Sequence, residues 1–360
     1  MHRKSTDNGM IDTTKINRLT EIIGNACNIT VVTHMKPDGD AMGSSLAIYH
    51  YLRKNTPCNI RVVLNDRYPS NLAFMVSEDA GKDIIVYSED AGKACECILN
   101  ADLIFCMDFN AFHRTDNLEA PLKEASGRKV LIDHHLNPDL QNFDIAFSVQ
   151  EISSASELLF HILKAMPQCN GNASALPLDA AEALMTGMTT DTNNFNNSVY
   201  PSTFSMASEL IAAGVDRDRI LSNLFNQFGE NRLRLLGTML KDLLTITPDG
   251  VAYMILDKHT LEQYHVDEGD TEGFVNMPLS IKDVKMSILL KEDGNRVRVS
   301  IRSKKGISAN RCSRLHFNGG GHENAAGGRL YIPDDICDMT QAGDYIEKHT
   351  HIYFTEENEA

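Results

Sequence analysis

VVTHMKPDGDAMGSS, residues 31–45, is the stretch on which the fold turns. It opens as a β-branched apolar run, the signature of a strand, and then places His34, Asp38 and Asp40 directly behind it, residues that no core would choose. Working outward, the first run extends back to Asn28, and four more Val/Ile-rich runs follow: NIRVVLND (59–66), DIIVYS (83–88), DLIFCMDF (102–109) and KVLIDHH (129–135). None alternates apolar with polar, so each strand is covered on both faces, which predicts a parallel α/β sheet. In such a sheet the ligand lies beyond the carboxyl ends of the strands. Three runs end there in ionisable residues: His34 with Asp38 and Asp40, then Asp108, then Asp133 with His134 and His135.

The chain has 360 residues, enough for two domains. From Ser153 to about Leu244 the pattern is helical, with Pro177 and Pro201 near helix starts and Gly214 at a helix end. The leucines of ENRLRLLGTMLKDLL (230–244) give one apolar face to a helix that joins the two halves. After TPDG (247–250) strands return in VAYMILD, KMSILLKED and RVRVSIRS, the last alternating at period two. The expected organisation is residues 1–10 disordered, 11–215 a parallel-sheet α/β domain, 216–245 a helical linker and 246–360 a smaller α+β domain.

No apolar run reaches the roughly 18 residues of a membrane span, and the first 15 residues are polar, so neither a span nor a secretory leader is expected. A cytoplasmic location follows, and the eight scattered cysteines then read as reduced thiols. The formal charge of −15 opposes nonspecific adsorption to long nucleic acid. Between Arg296 and Arg329 the sign reverses, with eight Lys or Arg against one acid, Glu323, so an anion can be held there.

Taken singly, each motif has an ordinary reading: PDGD (37–40) as a surface turn, Asp108 as a helix cap, His134 and His135 as one core and one exposed imidazole. GMTTDTNNFNN (187–197), with Asp191, reads as a polar loop. Together the four segments carry the residue types of a metal pair. Carboxylates and imidazoles gathered at strand ends repel one another and lose hydration unless a cation sits among them. Asp and His without a thiolate favour Mn²⁺ or Mg²⁺, with Zn²⁺ or Co²⁺ as substitutes. Two ions about 3.5–4 Å apart form the clamp used for in-line displacement at phosphorus.

In this order and spacing, HMKPDGDAMGSS, MDFN, IDHH and TTDTNNF resemble the four motifs of the DHH phosphoesterase superfamily. RSKKGISANRCSRLHFNGGGHENAAGG (302–328) resembles the glycine-rich signature of its accessory domain, DHHA1, and the likeness runs from about residue 15 to 350. The resemblance implies a metal-binding catalytic domain over 11–215 and a substrate-binding domain over 246–360. It implies two divalent cations, Mn²⁺ first, with Mg²⁺ or Co²⁺ in its place. His34 and Asp38 would hold one, Asp40, His134 and Asp191 the other, and Asp108 would bridge. Asp133 would orient the neighbouring imidazole, and His135 would face the substrate phosphate. In the second domain Arg302 would grip a phosphate beside Ser303, Gly319, Gly320 and Gly321 would offer a loop of exposed amides, and His322 would donate to the scissile or terminal phosphate. Gly39 and Gly43 would allow close backbone approach, with the helix starting near Ala41 turning its amide end to an anion. Two departures stand out: FGGGGH reads FNGGGH with Asn318, and TDTGxF reads TDTNNF with Asn194 before Phe195.

GGGH (319–322) sets the chain apart from family II pyrophosphatases. Its length and acidity separate it from RecJ-type nucleases, and the lack of membrane and sensor segments from membrane-bound cyclic-dinucleotide enzymes. The resemblance therefore points to the compact oligoribonuclease (nanoRNase) and pAp phosphatase group. Its members hydrolyse short RNA or DNA oligomers and remove the 3′-phosphate of pAp, with neither long nucleic acid nor a membrane as partner; a homodimer stays open. The alternatives are a phosphodiesterase of cyclic di-AMP or linear pApA, an exopolyphosphatase and, outside catalysis, a silent nucleotide-binding sensor.

Overall fold

The structure is a computed structural model and describes residues 11–227, 229–266 and 269–359; the expectation for residues 1–10 falls outside these. The chain divides into two compact units after Gln227. In the first, strands β1 (Asn28–Thr33), β2 (Asn59–Leu64), β3 (Ile84–Val86), β4 (Leu103–Met107), β5 (Arg128–Asp133) and β6 (Ile145–Ser148) form one parallel sheet in the order β3-β2-β1-β4-β5-β6. The helices are α1 (Thr13–Asn25), α2 (Gly39–Asn55), α3 (Glu78–Asp83), α4 (Ala91–Leu99), α5 (Glu119–Glu124), α6 (Ala155–Ala165), α7 (Leu178–Asp191), α8 (Pro201–Ala212) and α9 (Arg217–Phe225). The sequence pattern predicts β1 to β5 and misses β6, a four-residue edge strand whose burial alternates.

Successive residues of a strand point to opposite faces, and both faces here meet a core. Val31, Val62, Phe105 and Val130 pack into one cluster, whereas Val32, Val63, Ile104 and Leu131 pack into another. That double burial is why the runs lack polar alternation. The strand order reverses between β1 and β4, the topological switch point at which a doubly wound sheet binds its ligand. His34 and Asp108 sit just past those two strands.

Gly39 and Gly43 serve helix packing. A Cβ at Gly43 would lie 2.7 Å from both the Ala183 carbonyl and the Gly187 Cα of α7, and one at Gly39 would overlap Thr190. The first amides of α2 are not offered to an anion either: Asp40 N and Ala41 N both donate to Asp38 Oδ1 at 3.0 Å. Pro177 caps α7, Pro201 is the first residue of α8, and Gly214 follows α8 with φ 103°.

The second unit contains α10 (Glu230–Thr238), β7 (Thr245–Ile246), β8 (Val251–Leu256), α11 (Lys258–Gln263), β9 (Met286–Asp293), β10 (Arg296–Ser303), α12 (Ala309–His316), β11 (Gly320–Gly321), β12 (Ala325–Tyr331) and α13 (Ala342–Glu359). Its sheet runs β11-β12-β10-β9-β8-β7, with β8 and β9 parallel and the other pairs antiparallel. The period-two alternation of β10 sends Val297, Val299 and Ile301 into a core with Cys312, Phe317 and Ile346. The helix expected to join the halves packs inside this unit, where Leu235 meets Met254, Leu256 and Phe274. All eight cysteines are free thiols, and among the described residues no helix is long and apolar enough to cross a membrane.

Candidate metal centre

Four segments deliver the polar residues of the first unit to the carboxyl rim of the sheet. His34 leaves β1, and its Nδ1 lies 2.7 Å from the Met35 carbonyl, which fixes the ring and leaves Nε2 turned to the centre, 3.5 Å from Asp108 Oδ2 and 3.8 Å from Asp38 Oδ1. Asp108 leaves β4 in a left-handed conformation, φ 60°, which an aspartate tolerates better than most residues. His134 leaves β5, and its Nε2 faces three carboxylates: Asp108 Oδ1 at 3.5 Å, Asp191 Oδ2 at 3.5 Å and Asp40 Oδ2 at 3.9 Å. These gaps exceed the 2.7–3.2 Å of an ordinary N–H···O hydrogen bond.

Asp40 and Asp191 are held in opposite ways. Asp40 is buried and accepts from the amides of Ala155 at 2.6 Å and Ser156 at 2.9 Å, the first two residues of α6. A helix start has orphan donors and a partial positive charge, so it welcomes a carboxylate; each such charged hydrogen bond contributes about 1.5–3 kcal/mol. Asp191 is instead the last residue of α7, at the negative end of its dipole, where a carboxylate is disfavoured. A cation in front of it removes that penalty.

The electrostatics agree. Burial, then the charges of Asp108 and Asp191, push the Asp40 carboxyl well above its usual range. Burial would also raise Asp108, but His134 and His34 beside it hold it well below. Burial lowers the two imidazoles, yet Asp108 with Asp38 lifts His34, and Asp108 with Asp191 lifts His134, each to about 10. One oxygen of the 2 % exposed Asp108, Oδ1, has no hydrogen-bond partner. His34–Asp38–Asp108 and Asp40–Asp108–His134 are two triads whose ligand atoms lie within 4.8 Å of one another, and they share Asp108. An orphaned buried oxygen common to two O/N donor sets fits a pair of divalent cations. Asp133 stands behind: its Oδ1 lies 2.7 Å from His135 Nδ1, and its Oδ2 accepts the His135 amide at 3.1 Å.

Residues 153–157 contribute a support that the motif reading misses. Ser154 caps α6 by accepting the Glu157 amide at 3.0 Å. The fully buried Glu157 carboxylate accepts from Ser153 Oγ, from the Ser153 amide at 3.2 Å and from Thr203 Oγ1 at 2.7 Å. It thereby fixes the turn whose amides hold Asp40. The capping pattern S-x-x-E at 154–157 is the signal that marks it.

The second unit departs from expectation at two points. Gly319, Gly320 and Gly321 do not form a free loop: Gly320–Gly321 is a short strand on β12, and the amides of Gly319, Gly321 and His322 donate to Ser313 O (3.3 Å), Asn310 Oδ1 (3.1 Å) and Ala325 O (2.8 Å). The glycines are there because the strands run so close; a Cβ at Gly319 would overlap the Gly327 carbonyl. Ser303 is buried, with its hydroxyl donating to Ile307 O at 2.6 Å and accepting from Asn324 Nδ2 at 3.0 Å, so it is engaged within its own loop rather than offered to substrate. Arg302, half-buried on β10, and His322 stay as the candidate phosphate contacts of this unit. Asn318 takes φ 48° and donates to Arg329 O and Asp335 Oδ2, and Asn194 takes φ 56°. Both departures thus keep a conformation that glycine adopts freely and asparagine tolerates.

Comparison with known proteins gives the same two parts. Residues 28–188 match the family model described as "DHH family, N-terminal domain", and residues 249–346 match the DHHA1 domain. The chain is 27 % identical over 305 residues to the bifunctional oligoribonuclease and PAP phosphatase NrnA of Bacillus subtilis (strain 168), covering 84 % of this chain and 89 % of that one. It is also 27 % identical over 320 residues to the probable bifunctional oligoribonuclease and PAP phosphatase NrnA of Streptococcus mutans serotype c, covering 87 % and 93 %. Among solved structures, an exopolyphosphatase-related protein from Bacteroides fragilis superposes with a TM-score of 0.87 at 36 % identity, covering 96 % of this chain and 98 % of that chain. With the paired domains, the matching fold and the O/N centre at the switch point, the chain belongs to the DHH family of metal-dependent phosphoesterases, with a DHHA1 domain following in the sequence.

Proposed function

We propose that this chain is a cytoplasmic hydrolase that cleaves short RNA or DNA oligomers to mononucleotides and removes the 3′-phosphate of pAp. The observation that carries this reading is the buried Asp108 oxygen without a partner, at the point where the two triads overlap. His34 and Asp38 would hold one divalent cation, Asp40, His134 and Asp191 the other, and Asp108 both. A donor set without sulfur favours Mn²⁺ over the thiophilic metals. Bound there, such ions lower the pKa of water and neutralise charge growing on phosphoryl oxygens.

The protein's own residues do the rest. Asp38 and Asp40 are tied to helix starts, so they present their oxygens without reorganisation. Asp133 holds His135 at both its ring and its amide, which makes His135 Nε2 the atom that meets the substrate phosphate and moves a proton to the leaving oxygen. Residues 11–215 act as the catalytic domain and 246–360 as the substrate-binding domain, with 216–245 linking them along the sequence; Arg302 and His322 take a substrate phosphate, and Gly319–Gly321 shape that segment.

The test is a digestion panel with Mn²⁺: dinucleotides, long oligomers, pAp, cyclic di-AMP, pApA and polyphosphate. Rapid loss of dinucleotides and pAp, with long oligomers spared, is the expected outcome. Preferential attack on polyphosphate or on cyclic di-AMP would replace this reading with one of those activities, and nucleotide binding without turnover would make the chain a sensor.

A further inference from the structure

Two residues past Asp191 the backbone takes three consecutive left-handed residues, Asn193 (φ 46°), Asn194 (φ 56°) and Phe195 (φ 65°). Asparagine tolerates that region, but a bulky phenylalanine there is an outlier. The surroundings hold it in place. The Asn193 and Asn194 amides donate to Thr190 O (3.0 Å) and Thr189 O (2.8 Å), the Phe195 amide to Thr192 Oγ1 (3.0 Å), and Arg217 Nη2 to Asn194 Oδ1 (2.6 Å). Strain that a structure over-determines in this way points to a use.

The turn lays the Phe195 ring on Phe204 of α8. The centroids are 5.3 Å apart, the planes 17° from parallel, and the Arg217 guanidinium lies 5.6 Å from the Phe195 centroid. Phe204 is 55 % exposed. A single exposed phenylalanine needs no account. A stacked pair with a cation, four residues past a carboxylate of the metal centre, is different. Four residues reach at most about 14 Å fully extended, and the bond from Asn194 back to Thr189 makes the actual path shorter. Flat aromatic surface beside a guanidinium and a phosphate-handling centre matches a nucleotide: a π face to stack and an anion to steer.

We infer that Phe195, Phe204 and Arg217 form a platform on which a nucleobase of the substrate stacks while its phosphate is at the centre. The inference rests on the phosphoesterase reading above. Stacking reads the face of a base and not its hydrogen-bonding edge, so the platform tolerates any base and either sugar. Polyphosphate and pyrophosphate have nothing to place on it.

The experiment measures KM and kcat of the Mn²⁺-loaded full chain on pApA and on the same dinucleotide with tetrahydrofuran abasic sugars, for the wild type, Phe204→Ala and Phe204→Leu. Leucine keeps the bulk of the side chain and removes its π face. The wild type should prefer the base-bearing substrate, and both variants should shrink that preference, Phe204→Ala by roughly 5- to 150-fold, chiefly in KM. An unchanged preference in both variants overturns the platform and leaves the phosphoesterase reading standing. Hydrolysis of neither substrate by the wild type overturns that reading, and the platform with it.

Discussion

In the N-terminal unit three carboxylates stand around one His134 nitrogen, and the buried Asp108 Oδ1 has no hydrogen bond. In the C-terminal unit the triglycine is the reverse, for the amides of Gly319, Gly321 and His322 all have acceptors. Both segments carry conspicuous motifs. The first leaves a carboxylate oxygen unmet among other charged groups, and an unmet buried demand is what a ligand answers. The glycines answer a demand of another kind, the approach of two strands too close for a Cβ.

The sharpest way to break this contrast is Asp108→Asn. It should lower turnover of dinucleotides by about 10²- to 10³-fold or more and weaken Mn²⁺ binding in calorimetry; near-normal values for both would place the need for a cation elsewhere. Asp133→Asn should act one step removed, by about 10- to 100-fold in kcat/KM, because His135 loses the carboxylate that sets its ring; an unaltered rate would free His135 from any role.

A methyl group sharpens the comparison further. Gly187→Ala puts a Cβ against Ser156 and 2.9 Å from Asp40 Oδ1, and Gly319→Ala puts one into the Gly327 carbonyl. Each should cost about 1–3 kcal/mol in urea unfolding, but only the first should weaken Mn²⁺ binding. Loss of phosphate affinity in Gly319→Ala without loss of stability would restore the triglycine as an anion site.

A further effect is on pH dependence. With the metal removed by chelator, His34 and His134 have pKa values raised from 6.5 to about 10. Their contribution to stability is therefore complete below pH 6.5 and lost as pH climbs through 10. Cations bind the neutral ring, so metal affinity should rise over that same interval. Melting temperatures of the stripped protein that stay level from pH 6.5 to 10 would count against these carboxylate–imidazole pairs.

Much of this was legible because it rests on short-range rules. Runs such as NITVV and KVLID read as doubly buried strands, and Pro177, Pro201 and Gly214 mark helix ends here. The convergence of His34, Asp108 and His134 was legible because a doubly wound sheet puts its strand ends on one rim, whereas Asp191, at the end of α7, entered only through the family resemblance. What escaped depends on partners distant in sequence. Nothing in GGG says that Gly327 lies against it, and nothing in PDGD says that Asp40 will reach α6, 115 residues away. Ser303 likewise shows its commitment only once Asn324 is placed beside it.

Asp40 stands in the first turn of α2, on the opening amides of α6 and in one of the triads that could hold an ion. An ion captured there clamps three parts of the domain, so occupancy registers in the folding equilibrium: a concentration one hundred times Kd adds about 2.7 kcal/mol. The supply of divalent cation would then govern how long the polypeptide outlives proteases as well as how fast it works. A cell short of the ion would clear this protein instead of storing it idle.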